Sequence, residues 1–377
     1  MRVQLVDRNY AAACGLSRYS HTIASTLVQQ NIPFSVASLE PPRLVRASHF
    51  FGKNLGLDLL TFFTTYPIHA TLAADSINHL TTQQMGTLFW FQRKSMPASI
   101  ITVHDILPYL YRHDPHFSTL HHRFDTFFYR LAMKGLSKAN VIIAISEFTK
   151  KTLVENLSIP EEKIKVVLNG VDHRVFRPKP VPDSFFSRYG LRRDEQYILY
   201  VGSESPRKNL PHLIEAFARI KRRAPKSRLI KVGSPKYLEH FRRLQEKISF
   251  LDLEDDVLFV NHLPQEDLVS FYNLADVFVF PSLGEGFGLP PLEAMACGTA
   301  VVCSTATSLP EVVGDAALPI NPRNLDELVE HVCNVLVNPD LRRDLEQRGL
   351  QRAKRFSWDK ACKKTIAVYR ELYESRF

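Results

Sequence analysis

Glu285 and Glu293 stand at the two ends of Glu-Gly-Phe-Gly-Leu-Pro-Pro-Leu-Glu and bracket a turn containing Gly286, Phe287, Gly288 and Leu289. Pro290 and Pro291 suit the first turn of a helix, where the N–H that proline lacks would have no partner. The apolar run Val277–Phe280 just before reads as a buried strand. A strand, a glycine turn and a helix start form an anion site, because free backbone N–H groups and the positive helix end face the ligand. Carboxylates beside a phosphate would repel it, whereas they accept hydrogen bonds from hydroxyls well. The segment therefore suits a ligand that carries phosphate and polyol together, as a nucleotide sugar does. The same pair could serve general acid/base chemistry, or be a capping and a surface glutamate.

Three other clusters have chemistry-bearing types at strand ends. Gly202-Ser203-Glu204-Ser205-Pro206-Arg207-Lys208-Asn209 follows the apolar run Ile198–Val201. Lys208, with Arg207 beside it, is a point-charge partner for a diphosphate, and Asn209 reads as a cap for the next helix. His104-Asp105 follows Ile100–Val103; the histidine could hydrogen-bond a substrate hydroxyl or move a proton. The loop Ala12–Tyr19 lies between the first strand, Arg2–Val6, and the first helix. There Gly15 allows close ligand approach, and Arg18 or Tyr19 could face an acceptor. No third ligand accompanies these groups at metal-binding spacing, so no metal site is expected. A full phosphate-loop pattern is absent as well.

These clusters need a scaffold, and the chain is long enough for two domains. Strands at Ile198–Val201, Leu229–Val232, Val257–Val260, Val277–Phe280, Ala300–Cys303 and Ala317–Ile320 alternate with helical patterns, which implies a parallel sheet covered on both faces. Val141–Ala144 extends the same pattern in the first half, and Ser146 suits the N-cap of the helix after it. Proline-rich residues 177–186 read as a linker between a domain at 1–176 and one at 187–356, with a last helix at 357–377. Ligands of such doubly wound sheets bind at the carboxyl ends of the strands.

Composition excludes several classes. At 45% hydrophobic and 23% charged the chain is neither disordered nor low-complexity. No apolar run spans a bilayer, and the start of the chain lacks signal-peptide features. The five cysteines form no CxxC pair, which fits reduced thiols in the cytoplasm. Residues 1–180 hold 20 Lys/Arg against 12 Asp/Glu, so nearly all of the net charge of +9 lies there. A phosphorylated acceptor, an anionic membrane face, or an ordinary solvated surface would each account for it. Phe50-Phe51, Phe62-Phe63 and the aromatic, basic stretch 116–137 read as core rather than as a membrane-facing patch. A basic nucleic-acid-binding protein is the non-enzyme alternative, although no nucleic-acid motif is present.

Taken together, Glu285–Glu293, Pro206-Arg207-Lys208-Asn209, Val103-His104-Asp105, Asn169-Gly170-Val171-Asp172, Ser308-Leu309-Pro310-Glu311-Val312-Val313-Gly314-Asp315 and Phe356-Ser357-Trp358 resemble the family 4 retaining glycosyltransferases. The loops His104–Tyr109 and Pro206–Leu210 are most similar to those of bacterial mannosyltransferases of polysaccharide assembly. The resemblance implies the α/β GT-B fold, two doubly wound Rossmann-like domains facing across a cleft. It implies transfer of a hexose from a nucleotide sugar, with GDP-mannose favoured, to a saccharide or lipid-linked acceptor. No cofactor or metal is implied. Location would be cytoplasmic, with peripheral contact at the inner membrane face through the basic first domain.

By resemblance, Lys208 and Arg207 neutralise the diphosphate, the Gly288 and Leu289 amides hydrogen-bond it, and Glu293 binds ribose. Glu285 and His104 hold the transferred sugar, with Asp105 on the acceptor side, and backbone near His262 and Leu263 meets the base. Two departures stand out. Ser203 occupies a position where the family often has arginine, and the Ala12–Gly15 loop lacks the family's double glycine. A GT-B epimerase or sugar-phosphate synthase is the enzyme alternative.

Overall fold

In the computed structural model, residues 1–7, 15–38, 72–91, 97–114, 117–118, 123–235, 238–261 and 263–376 are described. Phe50-Phe51, Phe62-Phe63, the loop residues 11–14 and His262 lie outside them. The chain divides into two compact units, Met1–Asn169 with Trp358–Phe377, and Gly170–Ser357. Residues 177–186, read above as a linker, belong to the second unit. The Lys179 N–H donates to Asn273 Oδ1 at 2.8 Å, and Phe185 packs against Phe271 with ring centroids 4.8 Å apart. Phe185 is buried there, while residues 177–180 and 182–184 are exposed on the surface of that unit.

The first unit is a sheet of β1 (Val3–Asp7), β2 (Phe34–Ser38), β3 (Ile77–Leu80), β4 (Ser99–Val103), β5 (Val141–Ala144) and β6 (Ile164–Val166) in the order 2-1-3-4-5-6. Every pairing is parallel. Alternate residues of each strand feed opposite cores. Val6, Ile101 and Ile142 pack with Tyr129, Ala132, Met133 and Leu136 of helix α2 (Arg123–Leu136) and with Leu153 of α3 (Glu147–Leu157). Val3, Leu5, Ile100 and Ile143 pack on the other face with Tyr19, Ile23 and Leu27 of α1 (Gly15–Gln29). That face is completed by Ile366, Tyr369 and Leu372 of the C-terminal helix, Trp358–Arg376. With both faces covered, β3 and β4 are buried at every residue, which is why they read as continuous apolar runs or short polar-apolar mixtures without alternation. The Ser146 hydroxyl caps α3 as expected, accepting from the Thr149 N–H at 3.0 Å.

The second unit is a sheet of β7 (Gln196–Val201), β8 (Ser227–Val232), β9 (Val257–Val260), β10 (Val277–Phe280), β11 (Val301–Ser304) and β12 (Leu318–Ile320). Its order is 12-11-10-7-8-9, again all parallel. The order of connection reverses between β7 and β10. Loops leaving the carboxyl ends of these two adjacent strands diverge to opposite sides, and ligands bind at such a switch point. The expected strands all form, displaced by a residue or two at their ends.

Candidate functional site

The loop after β7 and the loop after β10 meet at that switch point. Pro206–Lys208 is a single tight helical turn, and Asn209 ends it in the left-handed region at φ 59° before α4 (Leu210–Arg223) begins. Asn209 makes no side-chain cap. Its Nδ2 instead donates to the carbonyls of Pro281 at 3.2 Å and Pro322 at 2.7 Å, tying three loops together. The backbones are joined too, since the Leu283 N–H donates to the Arg207 carbonyl at 2.7 Å.

Glu285 sits inside this junction. Lys208 Nζ donates to its Oε1 at 2.6 Å, the Ser282 hydroxyl donates to the same oxygen at 2.8 Å, and Arg207 reaches Oε2 at 2.8 Å. Arg207 is anchored a second time, to the Gly284 carbonyl at 2.7 Å. Burial alone would raise the Glu285 pKa, but the charges of Arg207 and Lys208 outweigh it and hold the carboxyl at about 2. The group is thus ionised at any working pH and accepts hydrogen bonds; it is not a proton donor. Arg207 and Lys208 thus converge on the two oxygens of one carboxylate. Lys208 also lies 4.8 Å from the centre of the Phe280 ring.

A third loop, after β11, fixes the backbone of Glu285. The Thr307 hydroxyl accepts its N–H at 2.8 Å, and the Ser308 hydroxyl reaches the carbonyls of Glu285 at 2.8 Å and Phe287 at 2.9 Å. Gly288 then turns the chain at φ 127°, where a Cβ would stand 2.9 Å from Leu309 Cδ2, so only glycine fits. Helix α5 (Leu289–Ala296) starts there, with the Leu292 N–H already bonded to the Gly288 carbonyl. Pro290 and Pro291 carry no N–H. The amides left at this helix start are those of Gly288 and Leu289.

The other donor-side candidates of the second unit are set by their own local contacts. Glu293 is 2% exposed and accepts from the Tyr272 hydroxyl at 2.9 Å, so its orientation is set from beneath the helix. Phe287 is buried with its ring 6.0 Å from that of Phe356, so this residue offers its backbone alone to a ligand. Ser203 contributes its carbonyl, which accepts from the Tyr200 hydroxyl at 3.2 Å. Leu263 precedes Pro264, at the start of the helix Gln265–Leu274.

In the first unit Gly15 is the first residue of α1, and Arg18 is half-buried on it. Tyr19, expected toward an acceptor, is a core residue. It is 1% exposed, and its hydroxyl pairs with Thr102 Oγ1 at 2.8 Å because α1 turns this face onto the sheet. Asp105 uses Oδ1 locally, accepting from the Leu107 N–H at 3.1 Å. His104 is 8% exposed, with Nε2 donating to the Thr81 carbonyl at 2.9 Å. That bond puts the proton on Nε2 and leaves Nδ1 as the acceptor. Burial pushes the His104 pKa down to about 4, the Thr81 bond offsetting part of the fall.

Beneath His104 lies a network that the sequence reading missed. His79 is wholly buried, with Nδ1 at 2.5 Å from the Tyr369 hydroxyl and Nε2 at 2.7 Å from Thr102 Oγ1. It links the C-terminal helix to β4. Burial first, and the neighbouring His104 second, lower its pKa to about 3. The unfolded chain therefore binds protons more readily than the folded one below the ordinary histidine pKa. Stability of this unit is expected to be level above about pH 6.5 and to fall by about 1.4 kcal/mol per pH unit for each histidine below it. The fall ends near the folded values. Both tryptophans, Trp90 and Trp358, lie in this unit, so fluorescence-detected unfolding between pH 7 and 4 measures it directly. His79→Gln should flatten the slope; an unchanged slope would contradict the assignment.

Other groups passed over in the sequence are Ser282 and Thr307, Tyr272 beneath Glu293, and Asp7 at the end of β1. Asp7 accepts from Ser20 at 3.0 Å and Thr81 at 2.6 Å. A carboxylate ending the first strand was the available signal for Asp7; isolated hydroxyls leave none. Among the described residues no three or more His, Cys, Asp or Glu side chains gather as a metal site would require, and no helix is long and apolar enough to cross a membrane. Cys297, Cys303, Cys333 and Cys362 are buried free thiols.

The chain is similar to known proteins along most of its length. Residues 13–175 match the model for "Glycosyltransferase Family 4", and residues 183–352 match that for "Glycosyl transferases group 1". The O-antigen chain mannosyltransferase B of Escherichia coli is 32% identical over 245 residues, 63% of this chain and 62% of that protein. The serotype-specific mannosyltransferase WbdA of the same organism is 31% identical over 292 residues, 74% of this chain and 34% of its own length. The chain thus spans about three fifths of one curated relative and a third of the other. Among solved structures, sucrose-phosphate synthase from Thermosynechococcus elongatus superposes with a TM-score of 0.78 at 21% identity, over 99% of each chain. Anabaena HepE in complex with UDP and glucose gives 0.73 at 20% identity, covering 98% of this chain and 99% of that one. These likenesses establish the fold, GT-B, with its two parallel sheets. The two family models divide between them nearly all of the sequence, one on each sheet, and the chain belongs to glycosyltransferase family 4.

Proposed function

We propose that the protein transfers a hexose, mannose being favoured, from a nucleotide sugar to a saccharide or lipid-linked acceptor in polysaccharide or glycolipid assembly. The observation that carries this reading is the junction of three loops at the β7/β10 switch point, where Arg207 and Lys208 converge on Glu285 beside the start of α5. A diphosphate is the anion that two adjacent cations and a helix start suit. Lys208, Arg207 and the Gly288 and Leu289 amides take up charge as the bond from the anomeric carbon to the leaving diphosphate breaks. Glu285 accepts from sugar hydroxyls, Glu293 from ribose, and His104 Nδ1 is the acceptor for a further sugar hydroxyl. Backbone near Leu263 meets the base.

With its carboxyl ionised, Glu285 cannot serve as the proton donor. Front-face attack, in which the leaving phosphate oxygen takes the acceptor proton, then gives retention with no protein nucleophile, metal or cofactor. Mannose is favoured because the similar curated proteins are named mannosyltransferases. Family membership displaces the nucleic-acid alternative. Consumption of donor with a soluble sugar phosphate as sole acceptor would favour the synthase reading instead.

A thermal-shift screen with GDP-mannose, UDP-glucose, UDP-GlcNAc and UDP-galactose tests the donor. A ligand at a hundred times its Kd stabilises by about 2.7 kcal/mol. GDP-mannose should raise the melting temperature most, and no shift with any donor would refute the proposal.

The acceptor side includes an anionic membrane face. Phe127, 60% exposed, shares one face of α2 with exposed Arg130 and Lys134, and Lys138 just beyond lies 3.6 Å above the Trp90 ring. Aromatic rings among cations suit anionic headgroups. Flotation with phosphatidylglycerol vesicles but not with phosphatidylcholine vesicles is the expected result; equal behaviour on both removes the membrane partner.

A further inference from the structure

Lys231 interrupts the apolar strand Leu-Ile-Lys-Val near the end of β8, and its side chain is 0% exposed. Its ammonium is bonded to the carboxylate of Glu204, itself 2% exposed, and to the Gly233 carbonyl. Glu204 lies in the loop after β7, two residues before the turn that carries Arg207 and Lys208. The same loop is pressed against the next strand end, for a Cβ on Gly233 at φ 130° would stand 2.7 Å from the Gly202 carbonyl oxygen.

A buried ion pair is a poor way to gain stability, since desolvating both charges offsets their attraction and apolar residues of similar volume serve as well. The location suggests another use. Tyr200 donates to the Ser203 carbonyl, stacks on Phe280 with ring centroids 6.2 Å apart, and feels the charges of both Glu285 and Glu204. Glu204 lies in the same loop as the two cations, three residues before Arg207, and its charge has the sign that would repel a diphosphate.

We infer that Lys231 is a positioning residue for the donor site: acting through Glu204, it cancels the charge of a carboxylate that would oppose the diphosphate. The inference rests on the donor site proposed above.

Lys231→Met removes the cation bonded to Glu204. Loss of that cancelling charge is expected to weaken diphosphate binding by about tenfold or more, the scale of a nearby like charge at an effective dielectric of about 20. The double variant Lys231→Met/Glu204→Gln removes both charges and should bind within a few-fold of the wild type. Binding of GDP and UDP is measured by calorimetry, with GMP, UMP and the free nucleosides as controls. The loss in Lys231→Met should be largest for the diphosphate and smallest for the nucleoside, which a merely structural defect would not produce.

Equal losses for nucleoside and diphosphate, or a folded double variant as defective as the single, would overturn the inference. Should Lys231→Met fail to fold, the double variant decides, with Glu204→Gln alone expected to bind diphosphate at least as well as the wild type. If the wild type binds neither diphosphate, the donor site itself is refuted, an outcome distinct from failure of the ion pair.

Discussion

Lys208→Ala should lower kcat/KM for donor turnover by about 10²–10³-fold, the scale on which removing one preorganised charge-stabilising group acts. The lysine bonds Glu285 at 2.6 Å with its side chain 10% exposed, so its charge acts where water screens weakly. Negative charge on the diphosphate grows as the anomeric bond breaks, so the loss should fall mostly on kcat, with a smaller rise in KM. Arg207→Ala should cost less. Arg207 is more exposed at 27%, and its second bond, to the Gly284 carbonyl, already commits part of its donor set. Steady-state release of nucleoside diphosphate from whichever nucleotide sugar shifts the melting temperature measures both variants. Undiminished turnover in Lys208→Ala, with an unchanged melting temperature, would remove the junction from the mechanism.

The second large effect is expected at Glu285. Glu285→Gln keeps the shape but replaces an acceptor for two cations and a hydroxyl with an amide, one end of which is itself a donor. Lys208 and Arg207 then lose their counter-charge in a buried setting, and breaking one side of such a pair costs about 3 kcal/mol or more. The free protein should melt lower. A nucleoside diphosphate supplies the missing negative charge, so ligand should stabilise the variant more than it stabilises the wild type. Turnover should still fall by about 10²-fold, because the sugar loses its acceptor while phosphate binding survives. Calorimetric melting with and without GDP, alongside rates, separates the two roles. A variant destabilised equally with and without GDP would show that Glu285 is only a structural counter-ion. The low Glu285 pKa carries its own corollary. Its folded value lies below the ordinary carboxylate range, so its contribution to stability is complete above about pH 4.5 and is lost as pH falls toward 2.

The strands of the second unit were legible because parallel sheets buried on both faces make short apolar runs, and β10 and β11 are buried at every residue. The helix start at Leu289 was legible for a local reason, Gly288 followed by two prolines. Partnerships between distant loops were not. Asn209 read as a cap because caps are made within a few residues, yet its amide bonds carbonyls 72 and 113 positions away. Tyr19 read as a ligand contact because it follows a glycine loop, but which face of α1 meets the sheet depends on the sheet's position. Lys231 was visible as a charge in an apolar strand, without any sign of which carboxylate answers it.

From the order of its residues alone, this chain determined the parallel α/β sheet of its second unit and half the strands of its first, the turn from Glu285 into α5, and the basic pair Arg207-Lys208, since each depends on backbone preferences and burial patterns within a few neighbours. Tertiary structure alone decided that β10 lies beside β7, which brings Glu285 between those two cations from 77 positions away. The electrostatics of the site arise from that juxtaposition, because charge interactions depend on distance and burial in the folded chain and not on separation along it.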